Sequence, residues 1–287
     1  MDIEKINVLV QSIDVGSFSA AADSLGYTIS GISRSVFSLE EQFGFPLLIR
    51  GKHGVEPTSE CEQLLPLFRE LLHTYQRLHQ SADRISGLET GSVIVGTAYP
   101  PYHKRLAELI VSFRQLHPGI HLQLVEGTSS ELQKMLMSKQ LDLCIISRRD
   151  HIPVFYPLCK DRICIWVPDD HPSVHDGCYH LSDLSTDDYI LIHPDKETDN
   201  SILLDHYKIH PNICASTSDV DAAYAMVQAG LGITLMNEIL AKERTGNVTA
   251  LPLDYDTEFD IGLAALDKPN RSPAAQEFIS FLRDRLK

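Results

Sequence analysis

Thirteen histidines and six cysteines are the side chains with which this chain could hold a metal ion or run redox chemistry. Cys61, Cys144, Cys159, Cys164, Cys178 and Cys214 form no C-x-x-C pair. His175 and His180 flank Cys178, yet no second tight ligand pair completes a tetrahedral set. Cys144 and Cys164 stand inside apolar runs and suit buried, reduced thiols; redox pairing of Cys159 with Cys164, or of Cys178 with Cys214, is the alternative. Nucleophile and phosphate motifs are missing too: there is no G-x-S-x-G, no H-E-x-x-H, no P-loop and no paired-carboxylate motif. Asp169-Asp170 and Asp187-Asp188 read as exposed loop carboxylates. No catalytic residue, metal or cofactor is expected. What remains is the chemistry of recognition: Arg34, Arg50 and Lys52 among small polar residues near the N-terminus, and hydroxyls at strand ends further on.

Charge narrows the partners. The 287 residues carry 25 Lys and Arg against 39 Asp and Glu, a formal net charge of −14. Affinity for a phosphate backbone comes largely from Lys and Arg, so any nucleic-acid contact has to be local. Residues 1–88 hold seven basic side chains (Lys5, Arg34, Arg50, Lys52, Arg69, Arg77 and Arg84) against eleven acidic ones. A DNA-binding module with this balance has few phosphate anchors and reaches useful affinity by engaging several half-sites at once. A module that no longer binds DNA is the alternative. Met1-Asp2-Ile3-Glu4 carries neither a positive n-region nor an apolar run, and no stretch approaches the roughly 18–20 apolar residues that span a bilayer. A cytoplasmic protein with no membrane contact is expected.

The cations are positioned by three short helices and a hairpin. Residues 3–13 put Ile3, Ile6, Leu9, Val10 and Ile13 on one helical face. Gly16 breaks that helix. Ser17 caps a second, Phe18 to Leu25, whose Ala20-Ala21-Ala22 lets another helix cross closely. Gly26-Tyr27 is a tight connection, Thr28 the next N-cap, and the third helix turns Ile32, Val36, Leu39 and Phe43 inward. Its other face presents Ser30, Ser33, Arg34 and Phe37. A short helix, a glycine turn and a helix that starts on small polar residues make a helix-turn-helix, whose second helix carries its N-terminus to base edges and phosphates in a major groove. Leu47 to Arg50 and Val55 to Pro57 read as strands joined by Gly51-Lys52-His53-Gly54, a wing with its charge at the tip. The expected DNA contacts are Thr28, Ser30, Gly31, Ser33, Arg34, Phe37, Arg50, Lys52 and His53.

A long helix follows, from Thr58 to about Ser86. Cys61, Leu64, Phe68, Leu71, Tyr75, Leu78, Ala82 and Ile85 recur at alternating steps of three and four, a heptad seam. Such a seam calls for a partner helix, with Leu64, Phe68, Leu71, Tyr75, Leu78 and Ile85 as the dimerisation residues. Packing on its own domain is the alternative. Pro66, inside the helix, forfeits one hydrogen bond.

Residues 2–86 resemble the DNA-binding domain and linker helix of LysR-type transcriptional regulators. The resemblance rests on Gly16-Ser17-Phe18-Ser19-Ala20-Ala21-Ala22, Ile32-Ser33-Arg34, Leu39-Glu40-Glu41-Gln42-Phe43-Gly44, Leu47-Leu48-Ile49-Arg50 and Pro57-Thr58. Where the family commonly has Ser-Gln-Pro this chain has Thr28, Ile29 and Ser30. Ile29 can take part in readout only through apolar contact, for instance with a thymine methyl.

Beyond Gly91 strands and helices alternate: Ser92–Gly96, Lys104–Leu116, Ile120–Val125, Ser130–Lys139 and Leu141–Ile146 make β-α-β-α-β, hence a parallel sheet with helices on both faces. A second lobe begins near Arg162, with strands at 163–167, 211–215, 233–236, 248–251 and 259–265 and helices at 200–208 and 220–229. A last helix, Pro273 to Leu286, packs back onto the first lobe. Leu141-Asp142-Leu143-Cys144-Ile145-Ile146, Val167-Pro168 with His171-Pro172, and Val227-Gln228-Ala229-Gly230-Leu231-Gly232-Ile233 resemble the effector domain of the same family. The resemblance implies the fold of periplasmic binding proteins, with a small-molecule effector held between two lobes. The fold class expected is thus α + α/β: a winged helix-turn-helix (1–57), a linker and dimerisation helix (58–91), and a two-lobed α/β effector domain (92–287). Its first lobe takes 92–161 and 267–287, its second 162–266.

In open α/β sheets ligands bind beyond the carboxyl ends of strands. Those ends gather Thr97, Ala98, Tyr99, Thr128, Ser129, Ser147 and Arg148, with Ser218 from the second lobe, an arrangement suited to a small anion or carboxylate. Arg148 or Arg149 either pairs with that carboxylate or is a solvated surface arginine. Tyr99 and Tyr102 either wall an aromatic effector or pack at the lobe edge. The expected function is a sequence-specific, effector-controlled DNA-binding regulator. Its partners are double-stranded DNA, an unnamed small molecule and further copies of itself, as homodimer or homotetramer. The alternative is a cytoplasmic ligand-binding protein with a vestigial DNA module.

Overall fold

Caps and glycine turns divide the N-terminal chain into short helices, as the sequence predicts. The computed structural model describes residues 2–51, 54–87, 89–241, 244 and 246–286. Lys52 and His53, the expected wing tip, lie outside the described residues. Two units make up the chain, the first built on Met1–Leu88 and the second on Glu89–Met137 and Leu141–Lys287.

In the first unit α1 (Ile3–Asp14), α2 (Phe18–Leu25) and α3 (Ile29–Phe43) begin on Asp2, Ser17 and Thr28, each accepting a backbone N–H of its own first turn. Gly26 and Gly44 close α2 and α3 in the left-handed region, where only glycine sits without strain. The strands β1 (Leu48–Gly51) and β2 (Gly54–Pro57) pair antiparallel, Leu48 opposite Pro57. The hairpin is docked through Gly54. At φ 121° a Cβ there would lie 2.2 Å from the Gly16 carbonyl oxygen, which accepts the Val55 N–H at 2.9 Å. Glu40 fixes its other end by accepting from the Leu47 and Leu48 amides at 2.9 and 3.2 Å.

The long helix α4 (Ser59–Ile85) starts on Thr58 and, at 27 residues, is about 40 Å long. Here the dimerisation seam needs correction. Cys61 and Phe68 are buried in the core of their own unit, with Leu64 packed beside them. Phe68 meets Phe43 edge-on at 5.6 Å. Three short helices cannot enclose Ile6, Leu9, Ile32 and Leu39 by themselves, so the first turns of α4 close that core. Leu71, Tyr75, Leu78 and Ile85 stay exposed, Ile85 at 88% against 5% for Phe68.

The second unit opens with β3 (Gly91–Thr97), α5 (Pro101–Leu116), β4 (Ile120–Glu126), α6 (Ser129–Met137) and β5 (Leu143–Ser147), and β3 pairs parallel with both β4 and β5. Next come β6 (Val154–Pro168), α7 (Ser173–Asp176), β7 (Asp188–Ile192), α8 (Asp199–Tyr207), β8 (Asn212–Thr217), α9 (Val220–Gln228), β9 (Thr234–Asn237), α10 (Glu238–Ala241), β10 (Val248–Pro252), β11 (Glu258–Ala265) and α11 (Pro273–Arg283). The large sheet runs β10-β6-β11-β5-β3-β4, with β9 also on β6. One strand, β6, thus serves both lobes: its first half lies on β11, its second on β9 and β10. β11, expected in the second lobe, pairs antiparallel with β5 and so belongs to the first lobe's sheet. The strand β7 was not expected at all; it pairs parallel with β8. Phe278, Ile279 and Leu282 of α11 pack with Val93, Val95 and Phe113 in the first lobe's core, as expected of the last helix. No helix among the described residues is long and apolar enough to cross a membrane.

Candidate functional site

Two places gather the sequence-predicted residues, one in each unit. The first is the exposed side of α3. Burial of Ile32, Val36 and Leu39 leaves Ser30, Arg34 and Phe37 facing solvent, with Ser33 and Gly31 half-buried between. The Thr28 hydroxyl accepts the Gly31 N–H at 3.1 Å and lies 3.1 Å from the Ser30 hydroxyl, so its first task is to cap the helix. A Cβ at Gly31 would press on that hydroxyl at 3.2 Å. Among the described residues Arg34 makes a contact within its own helix, Nε to the Ser30 carbonyl at 3.3 Å. Arg50 reaches over from β1: its guanidinium donates to Ser33 Oγ (3.2 Å) and Glu40 (3.3 Å) and lies over the Phe18 ring. One of the expected phosphate anchors is therefore shared with a carboxylate. Tyr27, Ile29 and Phe37, each about half exposed, give this surface an apolar character. Tyr27 was read only as a connector; its exposure follows from sitting just before the cap with no helix turn above it.

The second place is a cleft of about 590 Å³ in the second unit. Thr97, Ala98, Tyr99, Thr128 and Ser129, at first-lobe strand ends, and Ser218 line it as expected. Ser147 and Arg148 do not. Ser147 ends β5 fully buried, its amide donating to Ser129 Oγ and its hydroxyl to Asp199 Oδ1 at 2.8 Å. Arg148 turns outward, over the Phe155 ring and 3.7 Å from Asp260. The neighbouring Arg149 faces inward and pairs with Asp199. Tyr99 lines the cleft through a buried ring whose hydroxyl donates to Asp199 Oδ2 at 3.1 Å; burial and that carboxylate push its ionisation well up. Tyr102 is not a wall: its hydroxyl meets Cys159 Sγ at 3.4 Å.

Apart from Ser218, sequence reasoning missed the second lobe's charged and titratable lining: His193, Lys196, Asp199, Asp219 and Arg244. Three of these sit at element ends, His193 directly after β7, Asp199 as the first residue of α8 and Asp219 as the N-cap of α9, and Lys196 stands in the loop between β7 and α8. Only the cap of α9 left a signal, an Asp just before an apolar helical run. His193 is held in the left-handed region at φ 54°, and burial with the nearby Lys196 lowers its pKa. Lys196 pairs with Glu131 at 2.9 Å, and Arg244 with Asp221. Among the described residues no group of three His, Cys, Asp or Glu stands close enough to hold a metal. Burial raises the thiols of Cys61, to about 11, and Cys164, to about 12, as suits inert packing.

Residues 3–62 match the family described as "Bacterial regulatory helix-turn-helix protein, lysR family". Residues 86–287 match the "LysR substrate binding domain". The chain belongs to the LysR family of transcription regulators. It is 26% identical over 292 residues to the "Uncharacterized HTH-type transcriptional regulator YvbU" of Bacillus subtilis, covering 99% of this chain and 98% of that one. Among solved structures, full-length OxyR from Pseudomonas aeruginosa superposes with a TM-score of 0.69 at 19% identity, over 100% of this chain and 94% of that one. Full-length CbnR complexed with its target DNA superposes at 0.59 and 19% identity, over 99% of this chain and all of that one. At such identities the two structures speak for the fold. As a LysR-type regulator, the chain has a DNA-binding helix-turn-helix in front and an effector-binding domain behind.

Proposed function

We propose that this regulator reads DNA with the exposed start of α3, through Ser30, Ser33, Arg34 and Phe37 and the flanking Ile29, while Arg50 and the wing tip steady it on phosphates. The observation that carries this reading is the free outer face of α3, capped by Thr28 and left uncovered by its own unit. Leu71, Tyr75, Leu78 and Ile85 join α4 to a second copy, which multiplies a weak half-site contact. The cleft beyond the ends of β3 and β4 binds the effector, and occupancy alters lobe closure and so the DNA-bound state. The domain limits are set at 1–57, 58–91 and 92–287, with β11 transferred to the first lobe. The protein works in the cytoplasm and carries out no catalysis.

Footprinting of the full chain on DNA flanking its own gene tests this: a protected, sequence-dependent pair of half-sites is expected. The acid excess of residues 1–88 and the hold of Glu40 on Arg50 favour one second reading, a ligand-binding protein whose DNA module is vestigial. Uniform, sequence-independent protection, or none, would favour that reading instead.

A further inference from the structure

We propose that the cleft selects a small cation, a primary amine on a short apolar body, and turns carboxylates away; this rests on the cleft being the effector site. The place best built for an anion lies where β3 and β5 end. There the Tyr99 hydroxyl, the Ser147 hydroxyl and the Arg149 guanidinium converge, three donors from the first lobe. The chain fills that cradle itself. Asp199, from the start of α8 in the second lobe, accepts from Tyr99 at 3.1 Å, from Ser147 at 2.8 Å and from Arg149. A ligand carboxylate would have to expel a carboxylate tethered to the same fold and leave Asp199 buried without a partner.

Among the described residues the fixed cations of the lining are also committed, Lys196 to Glu131 and Arg244 to Asp221. Against these two stand four lining carboxylates: Glu126, Asp199, Asp219 and Asp221. Three of the four retain accepting capacity, Asp221 through the oxygen that does not hold Arg244. Asp219 Oδ1 caps α9, taking the Asp221 and Ala222 amides at 2.7 and 2.9 Å, while its other oxygen takes no hydrogen bond from a described residue. Glu126 meets His103 at 3.6 Å and no other described cation. Ile192, Val220, Met236 and Leu240 provide apolar wall. An ammonium set against Asp219 with its carbon body on that wall makes charge-assisted hydrogen bonds without breaking any existing pair.

Matched probes that differ only in the charged group decide the matter: benzylamine against phenylacetate, and putrescine against adipate, titrated into the full chain by calorimetry. Each amine should bind at least tenfold more tightly than its twin. Asp219→Asn, which keeps an oxygen for the two capped amides, should weaken the amine about tenfold. Asp199→Ala should vacate the cradle and raise phenylacetate affinity at least tenfold. Should that variant fail to fold, the Asp219→Asn and wild-type titrations still decide. Carboxylates binding the wild-type chain as well as the amines, or no amine binding in the millimolar range, would overturn the proposal. If carboxylate binding were abolished by Ala98→Trp, which fills the cleft, only the amine preference would fall. Amine binding unmoved by both Ala98→Trp and Asp219→Asn would place the ligand elsewhere and sink the reading of the cleft itself.

Discussion

The outer face of α3 and the cleft of the second unit use charge in opposite ways. On α3 the cations are few and loosely held: Arg34 leans on its own helix, and Arg50, 44% exposed, is shared between Ser33 and Glu40. In and behind the cleft each fixed cation among the described residues is matched to a carboxylate, most deeply in Arg149–Asp199, where both side chains are under one-fifth exposed. An exposed ion pair contributes at most about 1 kcal/mol and exchanges readily for a phosphate, whereas breaking a buried one costs about 3–5 kcal/mol. On the proposed reading the α3 face can therefore re-pair with each half-site it meets, whereas the cleft is expected to admit a ligand that leaves its internal pairs standing.

Breaking the deepest pair should give the largest effect. Arg149→Met leaves Asp199 with two hydroxyl donors and no counter-charge, and is expected to lower unfolding free energy by about 3 kcal/mol in urea titrations. A loss below about 1 kcal/mol would mean the pair behaves like the surface ones and would erase the contrast. The next effect belongs to Glu40. Glu40→Ala strips the acceptor from the half-buried Leu47 and Leu48 amides and should cost about 2 kcal/mol. Glu40→Gln keeps an oxygen for those amides while removing the charge that competes for Arg50. Its stability should stay near wild type, and DNA binding should tighten several-fold with a steeper salt dependence. Weaker binding by Glu40→Gln would mean that Arg50 acts on DNA only where Glu40 holds it.

The same contrast explains how much could be read from the chain. Caps, glycine turns and helical periodicity fixed the helix-turn-helix because those signals are local: Ser17, Thr28, Gly26 and Gly44 act on backbone within a turn of themselves. The seam of α4 was legible as a pattern but not as a destination. Phe68 and Tyr75 occupy equivalent heptad positions, and only the shortage of core in three short helices sends one inward and leaves the other outside. In the second unit the alternation of strands and helices was readable, but the first half of β6 was hidden by Pro157, which argues against a strand wherever a ladder donor is needed; a bulge in β6 at Leu158, facing Ile261 and Gly262, accommodates it. Missing β7 removed His193 from view. The choice between Arg148 and Arg149 turned on where β5 stops, since adjacent residues of a strand point to opposite faces. Asp199 lies 50 residues beyond its arginine, and nothing in its neighbourhood announces that partner.

The smaller effects set the resolution of the comparison. Arg34→Ala should weaken operator binding about tenfold and lower the slope of log affinity against log salt by about one, with stability unchanged. A loss confined to one base position would instead make Arg34 a base reader. Lys196→Met should matter least. Lys196 and Glu131 are both about two-fifths exposed, and Glu131 retains the Thr128 amide as donor, so less than about 1 kcal/mol of stability is at stake. The variant nonetheless separates two accounts of the cleft. It removes a lining cation while leaving Asp199 and Asp219 in place, so the cleft becomes more negative without losing a free anion site. Phenylacetate binding should weaken and benzylamine binding should strengthen modestly, each by about twofold to fivefold, as expected of one partly screened charge. If Lys196→Met left the amine unchanged and abolished a measurable carboxylate affinity, Lys196 would be a working anion site that releases Glu131 on demand, and the rule that the cleft keeps its pairs intact would fail at its most exposed member.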